Sequence, residues 1–398
     1  MLNDTLESVK QRIAQEVRNI HPRLIEISHE IHAHPELLFE ERFAAQILTE
    51  ELEKEGFAVQ RGAAGMETAF VGSLGSGKPM VGFMAEYDAL PQIGHACGHN
   101  LIAVWAIGAG IALKRAIPDL EGTIKVFGTP AEEGGGGKVI LGDAGFFRGM
   151  DTVLMIHPMD VSFPTRPLLG ISSCKVEFFG QSAHASASPE KGINALDALL
   201  QVFFSLNAMR QMVKSTCRMH GCITHGGVAP NIIPDYACGQ FMLRAIEQNY
   251  LEEIEKRFHN IVEAAALSTG ARYQITPGVN YGAMAANPTL VELVQKQMDE
   301  LGIEYEISTS TEGIGSSDVG NVSQLVPTLQ PYLQVTPKGV AIHSPQFADL
   351  VIAEQADQAI ASGCNMLARV AAQVLMDPEI RQRIRDSFRE QTGRDPQE

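Results

Sequence analysis

The chain reads as an α/β protein with a mostly parallel sheet, interrupted by an inserted α+β unit of the ferredoxin-like kind. Three observations predict this. Apolar strand-like runs alternate with amphipathic helical segments through the first 160 or so residues, the order that packs helices on both faces of a parallel sheet. The polar residues with chemical potential follow the carboxyl ends of those strands, where open parallel sheets bind ligands. From about Ile171 the order changes to β-α-β-β-α-β, the split βαβ pattern of a self-contained small domain.

The elements come in order. Amphipathic helices are expected near Leu24 to His34 and Glu41 to Glu55, and strands at Ala69 to Gly72, Met80 to Ala85, Ile124 to Gly128 and Thr152 to Ile156, with helices at Leu101 to Arg115 and Lys138 to Leu141 between them. The insertion is read as strand Ser173 to Phe179, helix Ile193 to Val213, strands Arg218 to Thr224 and Ala237 to Ala245, helix Leu251 to Leu267 and strand Tyr273 to Pro277. After Asn287-Pro288, a good helix start, the first pattern resumes and closes on one long amphipathic helix, Ala348 to Leu375. A charged tail beyond Pro378 is expected to carry no chemistry. At 398 residues the chain exceeds the roughly 250 to 300 at which a single core stops growing, so two domains are expected.

Composition removes several function classes. Apolar residues make up 45% and charged residues 20%, which is ordinary globular usage and argues against disorder or a fibrous repeat. The formal charge is −16, from 31 basic and 47 acidic residues, without a Lys/Arg cluster, so no nucleic-acid partner is expected. The start, Met1 to Val17, lacks a signal-peptide core, and no window approaches ~18 continuous apolar residues. A cytoplasmic protein without a membrane partner is the expectation. Six scattered cysteines without a CxxC pair give no disulfide framework.

The chemistry concentrates in two segments. Pro130-Ala131-Glu132-Glu133-Gly134 places two carboxylates after an apolar strand, and His95-Ala96-Cys97-Gly98-His99-Asn100 lies upstream. Adjacent acids on a turn can divide labour, one binding a cation and the other handling a proton, as metal-assisted hydrolysis requires. Each part has a plainer reading. Cys97 can be a buried inert thiol or, with a histidine and a third group, a nucleophile. Glu132 and Glu133 can be a solvated turn, although the run Gly134 to Gly137 beside them permits close approach to the backbone. That run is no phosphate loop ending in Lys138, because Glu132 stands where such a loop needs glycine and Val139 where it needs Ser or Thr. His157 and His343 each follow an apolar strand and are individually better explained by packing, though together they point to ligation. Helix packing also accounts for His29, His32 and His34. Asp88, Glu132, Glu133 and His157 all lie past strand ends, so they can converge despite their separation.

These residues resemble a known family. The motifs His95-Ala96-Cys97-Gly98-His99, Pro130-Ala131-Glu132-Glu133-Gly134, Gly180-Gln181-Ser182-Ala183-His184-Ala185-Ser186 and Pro230-Asn231-Ile232-Ile233-Pro234, in that order, are similar to those of the aminoacylase and carboxypeptidase family of two-metal hydrolases. The likeness is to the amidohydrolase branch that includes plant auxin-conjugate hydrolases and the p-aminobenzoyl-glutamate hydrolase subunits. Glu133 to Gly137 and Ser317 to Ser323 resemble the aminoacylase-like dipeptidases within it. The resemblance spans almost the full chain and implies a catalytic domain of residues 1–170 and 284–398, with a lid and dimerisation domain of residues 171–283.

It also implies roles. Cys97 occupies the position bridging two divalent metal ions, His99 and His157 complete one, and Glu133 and His343 the other. Zn or Mn comes first, with Co and Ni also suited to mixed thiolate, imidazole and carboxylate ligands. Glu132 becomes the general base on a metal-bridging water and then the acid for the leaving amine, and Asp88 orients His99. Glu86 departs from the branch, where aspartate is common. His184 stabilises the oxyanion, often across a dimer interface, and Asn231 and Arg244 hold the substrate's terminal carboxylate. Loops such as Glu312 to Asn321 shape the acyl pocket. The implied protein is a cytosolic homodimer, paired through the lid, that cleaves a dipeptide or N-acyl amino acid. Alternatives are a p-aminobenzoyl-glutamate-type hydrolase, a metal-independent Cys97 hydrolase and a non-catalytic binding protein; every matched position retains a competent residue, which disfavours the last.

Overall fold

The structure, a computed structural model, describes residues 5–308 and 314–397. They divide into two compact units, one of residues 5–167, 285–308 and 317–397, the other of residues 168–284 with 314–316. In chain order the first unit supplies α1 (Leu6–Ala33), α2 (Arg42–Lys54), β1 (Ala58–Arg61), β2 (Phe70–Ser76), β3 (Met80–Ala85), α3 (His99–Ala116), β4 (Gly122–Gly128), α4 (Gly137–Asp143), β5 (Thr152–Leu154) and β6 (His157–Met159). The second contains β7 (Gly170–Phe179), α5 (Ala195–Arg210), β8 (Arg218–His225), β9 (Tyr236–Ala245), α6 (Gln248–Thr269) and β10 (Arg272–Pro277). The first then resumes with α7 (Pro288–Leu301), α8 (Val319–Ser323), β11 (Thr328–Leu329), β12 (Tyr332–Gln334), α9 (Pro345–Leu350), α10 (Glu354–Met376) and α11 (Pro378–Thr392).

The first unit is built on a six-stranded sheet in the order β1-β2-β4-β3-β5-β11. Its strands β4, β3, β5 and β11 run parallel, while β1 and β2 form an antiparallel flank. Register, more than order, decides where the loops meet. Ala85 pairs with Gly128 and Phe83 with Leu154, so β3, β4 and β5 end at nearly the same level and their trailing loops share one edge. A short parallel pair, β6 with β12, extends that edge and matches His157 to Tyr332.

Helix burial follows sequence spacing. α1 buries Val9, Ile13, Val17, Ile20, Leu24, Ile27 and Ile31, a three-and-four repeat that makes one apolar stripe. α3 is buried on nearly every side, from His99 to Leu113, as a helix covered all round by protein must be. α10 is, among the described residues, the one helix long and apolar enough to cross a membrane, and 72% of that window is buried inside the protein.

One expectation is corrected here. The single helix expected over Ala348 to Leu375 is two helices, because α9 ends at Leu350 and α10 starts at Glu354. The break frees carbonyls for other donors: Ala348 O accepts from His32 Nε2 at 2.8 Å, and Val351 O from Asn100 Nδ2 at 3.4 Å. The tail beyond Pro378 is helical to Thr392. Asp377 caps it by accepting from the backbone N–H groups of Glu379 and Ile380, and Ile380, Ile384 and Phe388 bury one stripe.

The second unit is a four-stranded antiparallel sheet in the order β10-β7-β9-β8. Helices α5 and α6 cover one face through a shared core that includes Phe178, Leu199, Val202, Phe241 and Phe258. This is the ferredoxin-like arrangement expected of a β-α-β-β-α-β order.

Candidate active site

The level strand ends bring three loops together. β3 runs out at Ala85 into Glu86-Tyr87-Asp88, and the chain returns through Cys97-Gly98 to start α3 at His99. Gly98 has a left-handed φ of +74°, and a Cβ there would lie 2.7 Å from Pro158 Cγ. Only glycine lets Cys97 and His99 flank one turn while the loop carrying His157 packs against it.

β4 ends at Gly128, and the next turn carries Glu132 and Glu133. Ala131 before them is itself left-handed, at φ +61°, which costs a non-glycine residue roughly 1 to 2 kcal/mol. A buried carboxylate that no motif singles out fixes this turn. Glu41, with no solvent exposure, accepts from Ala131 N at 2.9 Å and Phe39 N at 3.0 Å on Oε1, and from Thr68 Oγ1 at 2.9 Å on Oε2. Phe39 is also left-handed, at φ +61°, so one carboxylate holds two strained residues. Burial pushes the Glu41 carboxyl up to about 7, and the Asp88 charge adds to this.

The ligand-type atoms form two triads that share Cys97. The donor atoms of Cys97, His99 and His157 lie within 4.8 Å of one another, and so do those of Cys97, Glu133 and His343. Cys97 Sγ is 3.4 Å from both His157 Nε2 and His343 Nε2, and Glu133 Oε1 is 3.3 Å from His343 Nε2. His343 reaches the group because its backbone N–H donates to Ala96 O at 2.8 Å while it adopts φ +60°.

Neighbouring groups set the ring orientations. Asp88 Oδ1 lies 3.0 Å from His99 Nδ1, and Asp88 Oδ2 accepts the Glu133 backbone N–H at 2.9 Å, so one buried carboxylate steadies a member of each triad. Burial opposes the charge on Asp88, but His99 and the Glu133 N–H outweigh it and hold the carboxyl below its usual range. His157 Nδ1 donates to Pro158 O at 2.8 Å, leaving Nε2 with the lone pair, and burial pushes this imidazole down to about 4, so it is neutral. Burial pushes the Cys97 thiol up.

The residues fit a pair of cations. His99 Nε2 and Glu133 Oε1 are buried without a well-aligned hydrogen bond among the described residues, though both sit within the triads. Each histidine presents Nε2 to the thiol or carboxylate, and each triad mixes donors that suit divalent transition metals. Glu132 lies beside this group and touches it on one side, with His99 and Glu133. Its carboxyl is raised well above the ordinary value, first by burial and then by the charges of Glu86 and Asp318.

The remaining candidates lie in the second unit. His184 and Asn231 occupy neighbouring loops, joined by the Ala185 N–H to Asn231 O bond at 3.0 Å. His184 is exposed, and its Nδ1 accepts from the backbone N–H groups of Ser186 and Ala187 at 3.3 Å, which leaves the proton on Nε2. Arg244 lies on β9, with Nη2 3.1 Å from Met242 sulfur. Residues 312 and 313 of the Glu312 to Asn321 loop lie outside the described residues.

A sheet edge that gathers one thiol, three imidazoles and paired carboxylates in this way suits metal-assisted hydrolysis. Residues 168–270 match the peptidase dimerisation domain of the M20 peptidases. The chain is 35% identical to the Xaa-Arg dipeptidase of Mus musculus, over 96% of this chain and 93% of the mouse protein. It is 32% identical to one subunit of the p-aminobenzoyl-glutamate hydrolase of Escherichia coli, over 76% of this chain and 65% of that one. Among solved structures, a putative aminohydrolase from methicillin-resistant Staphylococcus aureus aligns with a TM-score of 0.77 at 20% identity, covering 92% of this chain and 100% of the other. A Bacillus subtilis protein described as a dinuclear metal-binding peptidase of the M20 family aligns with a TM-score of 0.69 at 21% identity, covering 90% and 99%. The chain belongs to the M20 family and is an amidohydrolase or peptidase.

Proposed function

We propose that the protein is a dipeptidase that hydrolyses the amide bond of a short substrate with a basic carboxyl-terminal residue. The convergence of two ligand triads on Cys97 carries the hydrolytic part of this reading. The substrate class rests on the near full-length relatedness to Xaa-Arg dipeptidases and on the formal charge of −16, a field that attracts a cationic substrate and repels a dianionic one such as p-aminobenzoyl-glutamate.

Two divalent cations, Zn or Mn by donor chemistry, would be held by Cys97, His99 and His157 and by Cys97, Glu133 and His343; when bound they polarise a carbonyl and acidify water. The protein's own groups do the rest. Glu132 takes the proton of the attacking water and delivers it to the leaving amine, a transfer that suits a carboxylate of raised basicity. Asp88 keeps His99 in the Nδ1–H tautomer. His184, with its proton on Nε2, is assigned to the developing oxyanion, and Asn231 and the Arg244 guanidinium to the substrate carboxylate.

Dimerisation through the second unit is part of the proposal. β8 is an edge strand, which presents unpaired backbone groups. Leu200 and Phe204 on α5 are 46% and 83% exposed, and Ile223 on β8 is 44% exposed. The test is turnover of a panel of Xaa-Arg, Xaa-Lys, neutral and N-acyl substrates before and after chelation. Cleavage favouring basic ends and lost on chelation supports the reading. Chelator-resistant cleavage that alkylation abolishes would make Cys97 a nucleophile instead.

A further inference from the structure

Neither ligand triad uses a third group of acids. Glu86, Glu132 and Asp318 each bring a carboxylate oxygen within 4.8 Å of the others, and Glu86 and Asp318 have no solvent exposure. Carboxylates this close either share protons or surround a cation.

Here the chain itself supplies the cation. Lys138, completely buried, places Nζ 2.5 Å from Glu86 Oε1 and 2.6 Å from Asp318 Oδ1. Its backbone N–H donates to Asp318 Oδ2 at 2.9 Å, so Asp318 grips the residue at both ends. Burying an ammonium is costly and is tolerated only with close partners.

The route by which Lys138 arrives ties it to catalysis. It is the second residue of α4, directly after the glycine run, and a Cβ on Gly137 would lie 2.1 Å from Pro130 O. The turn bearing Glu132 and Glu133 therefore closes straight onto the helix bearing Lys138. On the far side, Glu86 Oε2 lies 3.5 Å from His99 Nε2. The ammonium thus sits in a line of contacts between a ligand imidazole and Asp318, next to Glu132.

We propose that Lys138 is a positioning residue whose ammonium takes the place of a third cation, confining metal to the two triads and holding the Glu86 and Asp318 carboxylates against which Glu132 is set. The inference rests on the role of Glu132 given above. The Glu86 side chain spans to the Lys138 ammonium, and Lys138 directly follows the glycine run.

The test is Lys138→Met, stripped of metal, titrated calorimetrically with Mn²⁺, and assayed for kcat and KM after loading. The variant is expected to take up about one equivalent more than the wild type, with kcat lowered about 100-fold or more and KM within about threefold. An unpaired buried carboxylate can prevent folding, so Lys138→Met/Glu86→Gln, which removes one charge of each sign, is measured beside it. The double variant is expected to fold, to bind as much Mn²⁺ as the wild type and still to lose kcat by a similar factor. Wild-type kcat in the double variant would overturn the proposal, because Lys138 would then only neutralise Glu86. Wild-type metal uptake and kcat in the single variant would overturn it as well. Glu132→Gln is the control: if it retains turnover, the Glu132 assignment fails, whereas an inactive Glu132→Gln with a fully active Lys138→Met refutes only the role of Lys138.

Discussion

Replacing Glu41 with glutamine should make stability less dependent on pH. The Glu41 side chain is fully buried, and its carboxyl is raised from 4.5 to about 7, chiefly by burial. The folded protein therefore binds this proton more tightly than the unfolded chain does. The resulting stabilisation is present in full below about pH 4.5 and is lost as pH rises through about 7. At about 1.4 kcal/mol per pH unit, the loss between roughly pH 5 and 8 is on the order of 2.5 kcal/mol. Glutamine has no proton to lose, yet its carbonyl oxygen can still accept from Ala131 N and Phe39 N, and the Thr68 hydroxyl can turn to accept from its amide. Thermal unfolding of both proteins at several pH values reads the difference. The melting temperature of the wild type should fall relative to Glu41→Gln by roughly 5 to 10 °C across that range, at about 2 to 4 °C per kcal/mol. Parallel melting curves would show that Glu41 is ionised throughout and would refute the reasoning.

Three further outcomes are expected of the site. Glu132→Ala should abolish turnover with metal content near wild type, whereas Glu133→Ala should lose metal as well; elemental analysis with a dipeptide assay separates them, and equal activity in either variant would sink the division of labour. Asp88→Asn should weaken metal affinity about 10- to 100-fold, the usual cost of losing a group that orients a ligand, because Asp88 steadies both His99 and the Glu133 backbone; unchanged affinity by calorimetry would remove that role. His184→Ala should keep its metal and its dimer but not its turnover, and mixing it with inactive Glu132→Ala should restore some activity if the site is shared across the dimer; the absence of any recovery after subunit exchange would place His184 in its own subunit's site.

Much of the fold was legible because its signals are local. Strand Met80–Ala85 has the bounds its apolar run suggests, and the second unit follows from a β-α-β-β-α-β order that needs no long-range information. The break between α9 and α10 was not legible, since no glycine or proline marks residues 351–353 and its stabilising donors, His32 and Asn100, come from distant helices. α11 had a readable start in Asp377-Pro378 and a readable stripe in Ile380, Ile384 and Phe388, which the density of charge around them obscured. At the site, residues trailing strand ends could be gathered from topology alone. Glu41, and the pairing of Glu86 with Lys138 and Asp318, could not. Nothing in a sequence separates a buried carboxylate or ammonium from the solvated kind, and these groups take their meaning from partners up to 180 positions away.

Cys97 is the one donor common to both triads, so Cys97→Ala tests the central claim most directly. Metal equivalents per chain, measured by elemental analysis after removal of loosely bound ions, should be about two in the wild type and below one in Cys97→Ala, with turnover lost in parallel. A Cys97→Ala protein that is inactive yet retains its full metal content would contradict the shared-ligand account and make the thiol a participant in the chemistry itself.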